Sequence, residues 1–199
     1  MNDRKRDVRI IVSMASLFSL ADRRDARGER RVFAARVVHL SPHALTFATT
    51  ITAKPGERVI AKVEAIGSFE GFVTRRLERG FIMSINASEE GRKKLADKIV
   101  WVEKRKNHDV PDQRGGERII PGNPYSRMVF ADGAIESCLV LDFSLSGAAV
   151  SADTVPAVGT VLAVGSVVGR VMRHFEGGFA VQFIERQERD IVEKLIINE

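Results

Sequence analysis

The chain has 199 residues, of which 44% are hydrophobic and 29% are charged, a profile typical of a soluble globular protein with one large domain or two small ones. Its formal net charge of +5 favours an anionic partner such as a nucleotide, a nucleic acid or a membrane surface, without choosing among these classes. The single cysteine, Cys138, excludes an intramolecular disulfide and favours a reducing cytoplasm.

The first apolar segment, residues 10–18, follows basic residues at positions 4–6 in the order of a secretory signal peptide. Charged residues interrupt this order on both sides, at Asp7 and Asp22, and the repeat described next assigns the segment to a strand. No apolar run approaches the length of a membrane span. We therefore expect a cytoplasmic protein without membrane insertion.

The chain contains an internal repeat. Residues 35–59 align without gaps with residues 138–162, and residues 71–85 align with residues 169–183 after an insertion in the first copy. Because a shared order of apolar positions, turns and glycines rarely arises by chance, the sequence predicts two copies of one domain.

Each copy has the pattern of a mainly β domain that ends in a helix. In the second copy, alternate residues from Ile135 to Phe143 are apolar, which predicts a strand with one buried face. Several short strands separated by turn residues indicate a small antiparallel barrel or sandwich. Apolar residues at helical spacing, with Ser88 as the N-cap of the first helix, predict a helix after each set of strands. The predicted helical stripes are Leu95, Ile99 and Val102 in the first copy, and Ile191, Leu195 and Ile196 in the second.

A polar segment separates the two copies. Residues 104–113 contain few apolar side chains and one proline, which is typical of an interdomain linker. We expect a first domain over residues 1–103 and a second over residues 114–199.

Two arginines follow this linker, Arg114 and Arg118. Each guanidinium is a planar, permanently charged donor that pairs bidentately with phosphate or with guanine O6 and N7. The intervening Gly115 and Gly116 argue against a rigid helix and favour a loop that closes over a ligand. The ordinary alternative is a solvated run of charge.

A second motif, Asp142-x-Ser144-x-x-Gly147, lies at the end of the predicted strand. The aspartate supplies acceptors for the N1–H and N2–H groups of guanine, and the serine hydroxyl donates or accepts at short range. The glycine either lets a planar ligand approach the backbone or permits a positive φ. The ordinary alternative is a turn with local side-chain hydrogen bonds.

The two motifs together, in this order and before a matching strand pattern, resemble the signature of PilZ domains. The resemblance covers the second copy from Arg114 to the C-terminus. It implies a six-stranded antiparallel barrel that binds cyclic di-GMP, with Arg114 and Arg118 on phosphates and guanines. It also implies that Asp142, Ser144 and Gly147 contact guanine and ribose-phosphate atoms.

The first copy departs from this pattern. His39, Ser41 and Ala44 occupy the positions of the aspartate, serine and glycine, so that only the serine remains. Arg27 and Arg31 have the arginine spacing but lie in a hairpin loop between two strands, whereas the positional equivalents of the arginine pair are Lys5 and Arg9. We expect the first domain to bind no cyclic di-GMP and to act as a scaffold, regulator or partner surface.

Other candidate sites are weaker. The four histidines lack the spacing of a metal site, and no nucleophile or phosphate-binding motif is visible, so we expect neither a metal nor an enzyme. Arginines recur in corresponding strands of the two copies. Their ordinary role is solvent-facing charge, and the alternative is that Arg170 and Arg173 extend an anionic pocket.

The sequence thus predicts a cytoplasmic, non-enzymatic cyclic di-GMP receptor made of two PilZ-like barrels, without a cofactor and with an unknown downstream protein partner. Binding would change the domain arrangement, and the resemblance to PilZ domains implies motility, exopolysaccharide synthesis or biofilm formation as the regulated process. One alternative is a basic small-barrel module for single-stranded nucleic acid, which the low aromatic content of 7% disfavours. A second is an interaction protein that has lost ligand binding in both copies.

Overall fold

The structure, a computed structural model, describes residues 9–25, 27–105 and 118–197. Within these ranges the chain forms twelve strands and two helices and divides into two compact units, one around each barrel. In the first unit these elements are β1 (Ile10–Leu20), β2 (Phe33–Leu40), β3 (Ala44–Ala48), β4 (Arg58–Val63), β5 (Gly67–Leu77), β6 (Gly80–Ser84) and α1 (Glu89–Arg105). In the second unit they are β7 (Tyr125–Phe130), β8 (Ile135–Ser144), β9 (Gly147–Ser151), β10 (Val161–Val164), β11 (Val167–Phe175), β12 (Gly178–Phe183) and α2 (Arg189–Ile196).

Each unit is a closed six-stranded antiparallel barrel, which confirms the predicted fold class. The strand order is β1-β2-β3-β6-β5-β4 in the first and β7-β8-β9-β12-β11-β10 in the second. Pairing of β1 with β4, and of β7 with β10, closes the two sheets. Closure satisfies the backbone donors and acceptors of the edge strands, and it decides between the barrel and the sandwich that alternation alone left open.

Apolar side chains fill both barrels. The first has a cluster of four phenylalanines with ring centroids 5.0–5.5 Å apart: Phe18, Phe33, Phe47 and Phe81. The second has a core of aliphatic residues around the fully buried Phe143 and Phe179. Edge-to-face and offset ring contacts of this kind add to the hydrophobic stabilisation of the first core.

The two barrels share β-bulges at matching positions. A register shift lies between Val37 and His39 in the first barrel and between Val140 and Asp142 in the second. A further pair of shifts lies in β5, between Val73 and Arg75, and in β11, between Val171 and Arg173. Because a bulge is a specific local distortion, its recurrence at two repeat positions supports the duplication inferred from sequence.

The first bulge overturns the predicted alternation of β8. Cys138 and Val140 face the core, and after the extra residue Leu141 the core position passes to Phe143. The expectation that alternate residues from Ile135 to Phe143 share one buried face is therefore wrong, and Ile135 is 61% exposed. One added residue moves all later side chains to the opposite face.

The helix after the first barrel follows the prediction at most positions. The Ser88 hydroxyl accepts a hydrogen bond from the Gly91 amide at 3.1 Å, which confirms the N-cap. Leu95 and Ile99 are buried, and Val102 is partly buried. The helix ends at Arg105, two residues inside the segment predicted as the linker, and residues 106–113 lie outside the described ranges. The predicted domain bounds stay a prediction.

The second helix follows the prediction at two of three positions, since Ile196 is fully buried and Leu195 packs partly buried against the core. Val192, four residues before Ile196, is also fully buried, whereas Ile191 is 43% exposed, which corrects the prediction for Ile191. Residues at i and i+4 share one helical face, and Ile191 lies about 100° away from it. Among the described residues, neither helix has the length and apolarity that crossing a membrane requires.

Candidate ligand-binding site

An isolated β-bridge positions Arg118. The Ile119 amide donates to the Phe143 carbonyl at 2.8 Å, and the Phe143 amide donates back to Ile119 at 2.9 Å. Ile119 also packs against the barrel core. These contacts anchor the segment just before β7 against the end of β8, so that Arg118 lies beside Asp142.

Arg118 and Asp142 form an ion pair, with 2.9 Å between Arg118 Nη1 and Asp142 Oδ1. The arginine side chain is 55% exposed and that of the aspartate 29%. A pair this accessible contributes little to folding stability, at most about 1 kcal/mol. Within the described residues, this contact uses one of the five N–H donors of the guanidinium, which leaves the others available for a ligand.

Ser144 lies in a local turn. Its hydroxyl accepts from the Ser146 amide at 3.3 Å and lies 3.5 Å from the Gly147 carbonyl. The matching Ser41 makes the same kind of turn, in which its hydroxyl accepts from the equivalent His43 amide at 3.3 Å and also from the Ala44 amide at 3.0 Å. A hydroxyl that stabilises the same turn in both copies is explained by local backbone structure, with or without a ligand.

Gly147 is explained by the close approach of two strands. It is not among the glycines with positive φ, which excludes the second of the two roles predicted for it. A Cβ at this position would lie 2.5 Å from the Val181 carbonyl oxygen. At this distance the backbone of β9 or β12 would have to shift, so packing alone requires glycine here.

A cleft of about 620 Å³ opens on the outer surface of the second barrel, over β8, β9, β11 and β12. Four of the five residues predicted for the site line it: Arg118, Asp142, Ser144 and Gly147. The fifth, Arg114, lies outside the described residues. The structure therefore brings together every predicted site residue that it describes.

The cleft has a floor of small residues that the motifs did not identify. Ala149 pairs with Asp142 on one side and with Ala180 on the other, and Ala180 pairs with Arg173. Gln182 and Met172 also contribute to the lining. No motif marks these positions, because they become neighbours only through the register of four strands. The recurrence of arginines in β5 and β11 was the sole signal in the sequence for one of them, Arg173.

Cys138, the single cysteine of the chain, is buried in the core of the second barrel. Burial raises the pKa of the Cys138 thiol to about 12, against the opposing effect of a hydrogen bond with Ser126. A thiol with so high a pKa is a poor nucleophile at neutral pH. In the part of the chain that the structure describes, no group of three or more histidine, cysteine, aspartate or glutamate residues has the geometry to hold a metal ion.

No family model matches the sequence, and no curated protein matches it significantly. Among solved structures, the Borreliella burgdorferi PlzA protein in complex with cyclic di-GMP is 15% identical, with 97% of this chain and 93% of that one covered and a TM-score of 0.33. The PilZ domain of CeSA from a cellulose-synthesizing bacterium is 14% identical, with 49% and 98% covered and a TM-score of 0.39.

A third match, the K. pneumonia MrkH–cyclic di-GMP complex, is 12% identical, with 97% of this chain and 84% of that one covered and a TM-score of 0.28. Because each TM-score lies below 0.5, we assign the fold and the site from the chain's own strand pairing and not from these matches. The solved structures that the chain resembles thus include a PilZ domain and two proteins with cyclic di-GMP bound.

Proposed function

We propose that this protein is a cyclic di-GMP receptor and that the ligand binds in the cleft on the second barrel. The observation that carries the proposal is the convergence of Arg118, Asp142, Ser144 and Gly147 on one cleft of about 620 Å³. This volume falls in the range of about 300–1,000 Å³ that is typical of small-molecule sites. The two motifs that supply these residues also resemble the PilZ signature.

The chemistry of the cleft fits a guanine nucleotide. The carboxylate of Asp142 accepts from the N1–H and N2–H groups of guanine, and the free N–H groups of Arg118 donate to phosphate oxygens or to guanine O6 and N7. The ion pair between these residues holds both groups at the cleft before a ligand arrives. Such preorganisation lowers the entropic cost of binding.

Arg114, the other arginine of the motif, would connect the ligand site to the linker between the two domains. Arg114 precedes Arg118 by four residues and directly follows the predicted linker. We expect a ligand bound by both arginines to connect the cleft to the linker and to change the arrangement of the two domains. A downstream protein would then recognise the altered arrangement, with motility, exopolysaccharide synthesis or biofilm formation as the output. No step of this mechanism requires catalysis or a cofactor, and we place the protein in the cytoplasm.

Isothermal titration of the full chain with cyclic di-GMP tests the proposal. We expect binding in the second barrel alone, with weaker binding after Asp142→Ala and unchanged binding after the matched change His39→Ala in the first barrel. If no heat of binding is detected at tens of micromolar protein, the proposal is wrong. Oligonucleotide binding with a steep salt dependence, and no response to cyclic di-GMP, would instead favour a nucleic-acid module.

Small-angle X-ray scattering with and without cyclic di-GMP tests the change of domain arrangement separately. We expect a change in the radius of gyration at saturating ligand, which Arg114→Ala would reduce. If titration shows binding while the scattering curves superimpose, the protein is a receptor but does not signal by domain rearrangement.

A further inference from the structure

In the second barrel, strand pairing aligns two rows of residues across β8, β9, β12 and β11, the strands that carry the cleft. In the first row, Asp142 pairs with Ala149, Ala149 with Ala180, and Ala180 with Arg173. The row therefore has a carboxylate at one end, two methyl groups in the middle and a guanidinium at the far end. Four adjacent strands span three spacings of about 4.8 Å, so its ends lie about 14 Å apart along the sheet.

The second row runs parallel to the first. Ser144 pairs with Gly147, Gly147 with Gln182, and Gln182 with Arg170. Gly147 and Gln182 thus lie between Ser144 and Arg170, and Arg170 is not among the residues that line the cleft. Ala149, Ala180 and Gly147 form a low floor, bounded by Asp142 and Ser144 on β8 and by Arg173 on β11.

The two arginines of β11 differ in their contacts. Arg170 Nη1 donates to the Gly159 carbonyl at 3.1 Å, which ties its guanidinium to a neighbouring turn. Arg173 is exposed and lines the cleft, and within the described ranges its guanidinium makes no hydrogen bond or ion pair. Arg173 also lies at the bulge of β11, as Asp142 lies at that of β8. Both ends of the first row thus lie at bulges, where local distortion re-aims side chains.

We propose that Arg173 is a ligand-binding residue that anchors the end of the nucleotide opposite Asp142. This inference rests on the proposed function and adds to it a requirement on ligand length. A guanine held by Asp142 and Arg118 leaves the floor beyond it to be covered by the remainder of the ligand. A cyclic dinucleotide carries a second phosphate and a second guanine to Arg173, and its planar bases lie over the small residues between.

Titration of full-length variants with cyclic di-GMP tests the role of Arg173. We expect Arg173→Ala and Arg173→Gln each to weaken binding by about tenfold or more, the effect of losing an arginine fork. Arg170→Ala removes the same charge from the same strand and serves as the matched control, with an expected change below about threefold. Arg75→Ala, at the equivalent position of the first barrel, should leave binding unchanged.

Three outcomes would overturn the inference. Equal losses of affinity in the Arg170 and Arg173 variants would mean that Arg173 contributes only general positive charge. Wild-type affinity in both Arg173 variants would remove it from the site while leaving the receptor function intact. Absence of binding by the unmodified chain would overturn the proposed function and, with it, this inference. Thermal unfolding of each variant checks that the second barrel is folded, which we expect because Arg173 is exposed.

Discussion

The two barrels share the same strand framework but carry different side chains on their outer surfaces. Both barrels have the same strand order and the same pair of bulges. The row that runs Asp142, Ala149, Ala180, Arg173 in the second barrel runs His39, Thr46, Ile82, Arg75 in the first. Branched side chains thus occupy the floor positions of the first barrel. The comparison indicates that the shared fold depends on the inward-facing residues and that, under the proposed function, ligand binding depends on a few outward-facing ones.

The residues at the start of each barrel also have the same backbone pairing but different side-chain partners. Ile119 bridges to Phe143 in the second barrel, and Ile10 pairs with the matching Leu40 in the first. Arg118 and Arg9 precede these residues and therefore occupy equivalent positions. The partner carboxylate of Arg118 is replaced in the first barrel by the imidazole of His39, whose Nδ1 is buried without a hydrogen bond within the described residues. The first barrel thus keeps a cation at this position without the acceptor for it.

Of the substitutions that test this difference between the barrels, removal of Arg118 should have the largest effect. Arg118→Ala deletes the guanidinium that pairs with Asp142, and we expect cyclic di-GMP affinity to fall by about 1–3 kcal/mol, as measured by isothermal titration. Arg9→Ala is the matched control and should leave the affinity unchanged. A similar loss in both variants would contradict the assignment of the site to the second barrel.

Transfer of a floor residue from the first barrel should have the next largest effect. Ala180→Ile introduces the side chain that Ile82 provides at the same register position. We expect affinity to fall at least about tenfold, or about 1.4 kcal/mol, because the larger side chain occupies the floor. The melting temperature should change little, since isoleucine is favoured in strands. Ile82→Ala is the control, and retained affinity in Ala180→Ile would show that the ligand does not cover the floor.

Gly147→Ala tests packing and should act on the second barrel before any ligand is added. The new Cβ would lie 2.5 Å from the Val181 carbonyl, so strands β9 and β12 must separate. We expect the free energy of unfolding to fall by about 1–3 kcal/mol, as for other overpacked sites, in urea denaturation without ligand. The reverse change, Ala44→Gly, adds no atom to the first barrel and should not cause such strain. An unchanged unfolding midpoint in Gly147→Ala would point to a ligand-related role for the glycine instead.

The smallest expected effect is a difference in alkaline stability. Burial raises the pKa of Cys138 from 9.0 to about 12, whereas the matching residue of the first barrel is Ala35. The folded state therefore retains a thiol proton that the unfolded state loses. As a result, the thiol's contribution to stability is full below about pH 9 and declines toward pH 12.

Thermal unfolding at pH 8 and at pH 10 measures this contribution. The midpoint of the second barrel should fall more steeply with pH in the wild type than in Cys138→Ala, which carries the residue of the first barrel. Parallel pH dependences in the two proteins would exclude a contribution from the thiol.

Much of the fold was predictable because it depends on local signals. The repeat placed the strands and turns of one copy on those of the other, and the Ser88 cap was visible from residue type and position. The errors arose where the direction of side chains departs from the regular period that was assumed. The extra residue Leu141 in β8 places Phe143 in the core together with Cys138 and Val140, and α2 buries Val192 rather than Ile191 beside Ile196. Neither a bulge nor the rotation of a short helix has a strong signature in composition.

The sequence by itself determined the duplication, the β class and the motif residues, because these depend on spacing along one chain. It also showed that the first copy, over His39 to Ala44, keeps only the serine of the motif. Only the tertiary structure decided that Arg118 pairs with Asp142, that Gly147 is required by a neighbouring carbonyl, and that Ala149, Ala180 and Arg173 extend the cleft. These relations depend on strand register, which is set by pairing and closure between segments that are distant in sequence.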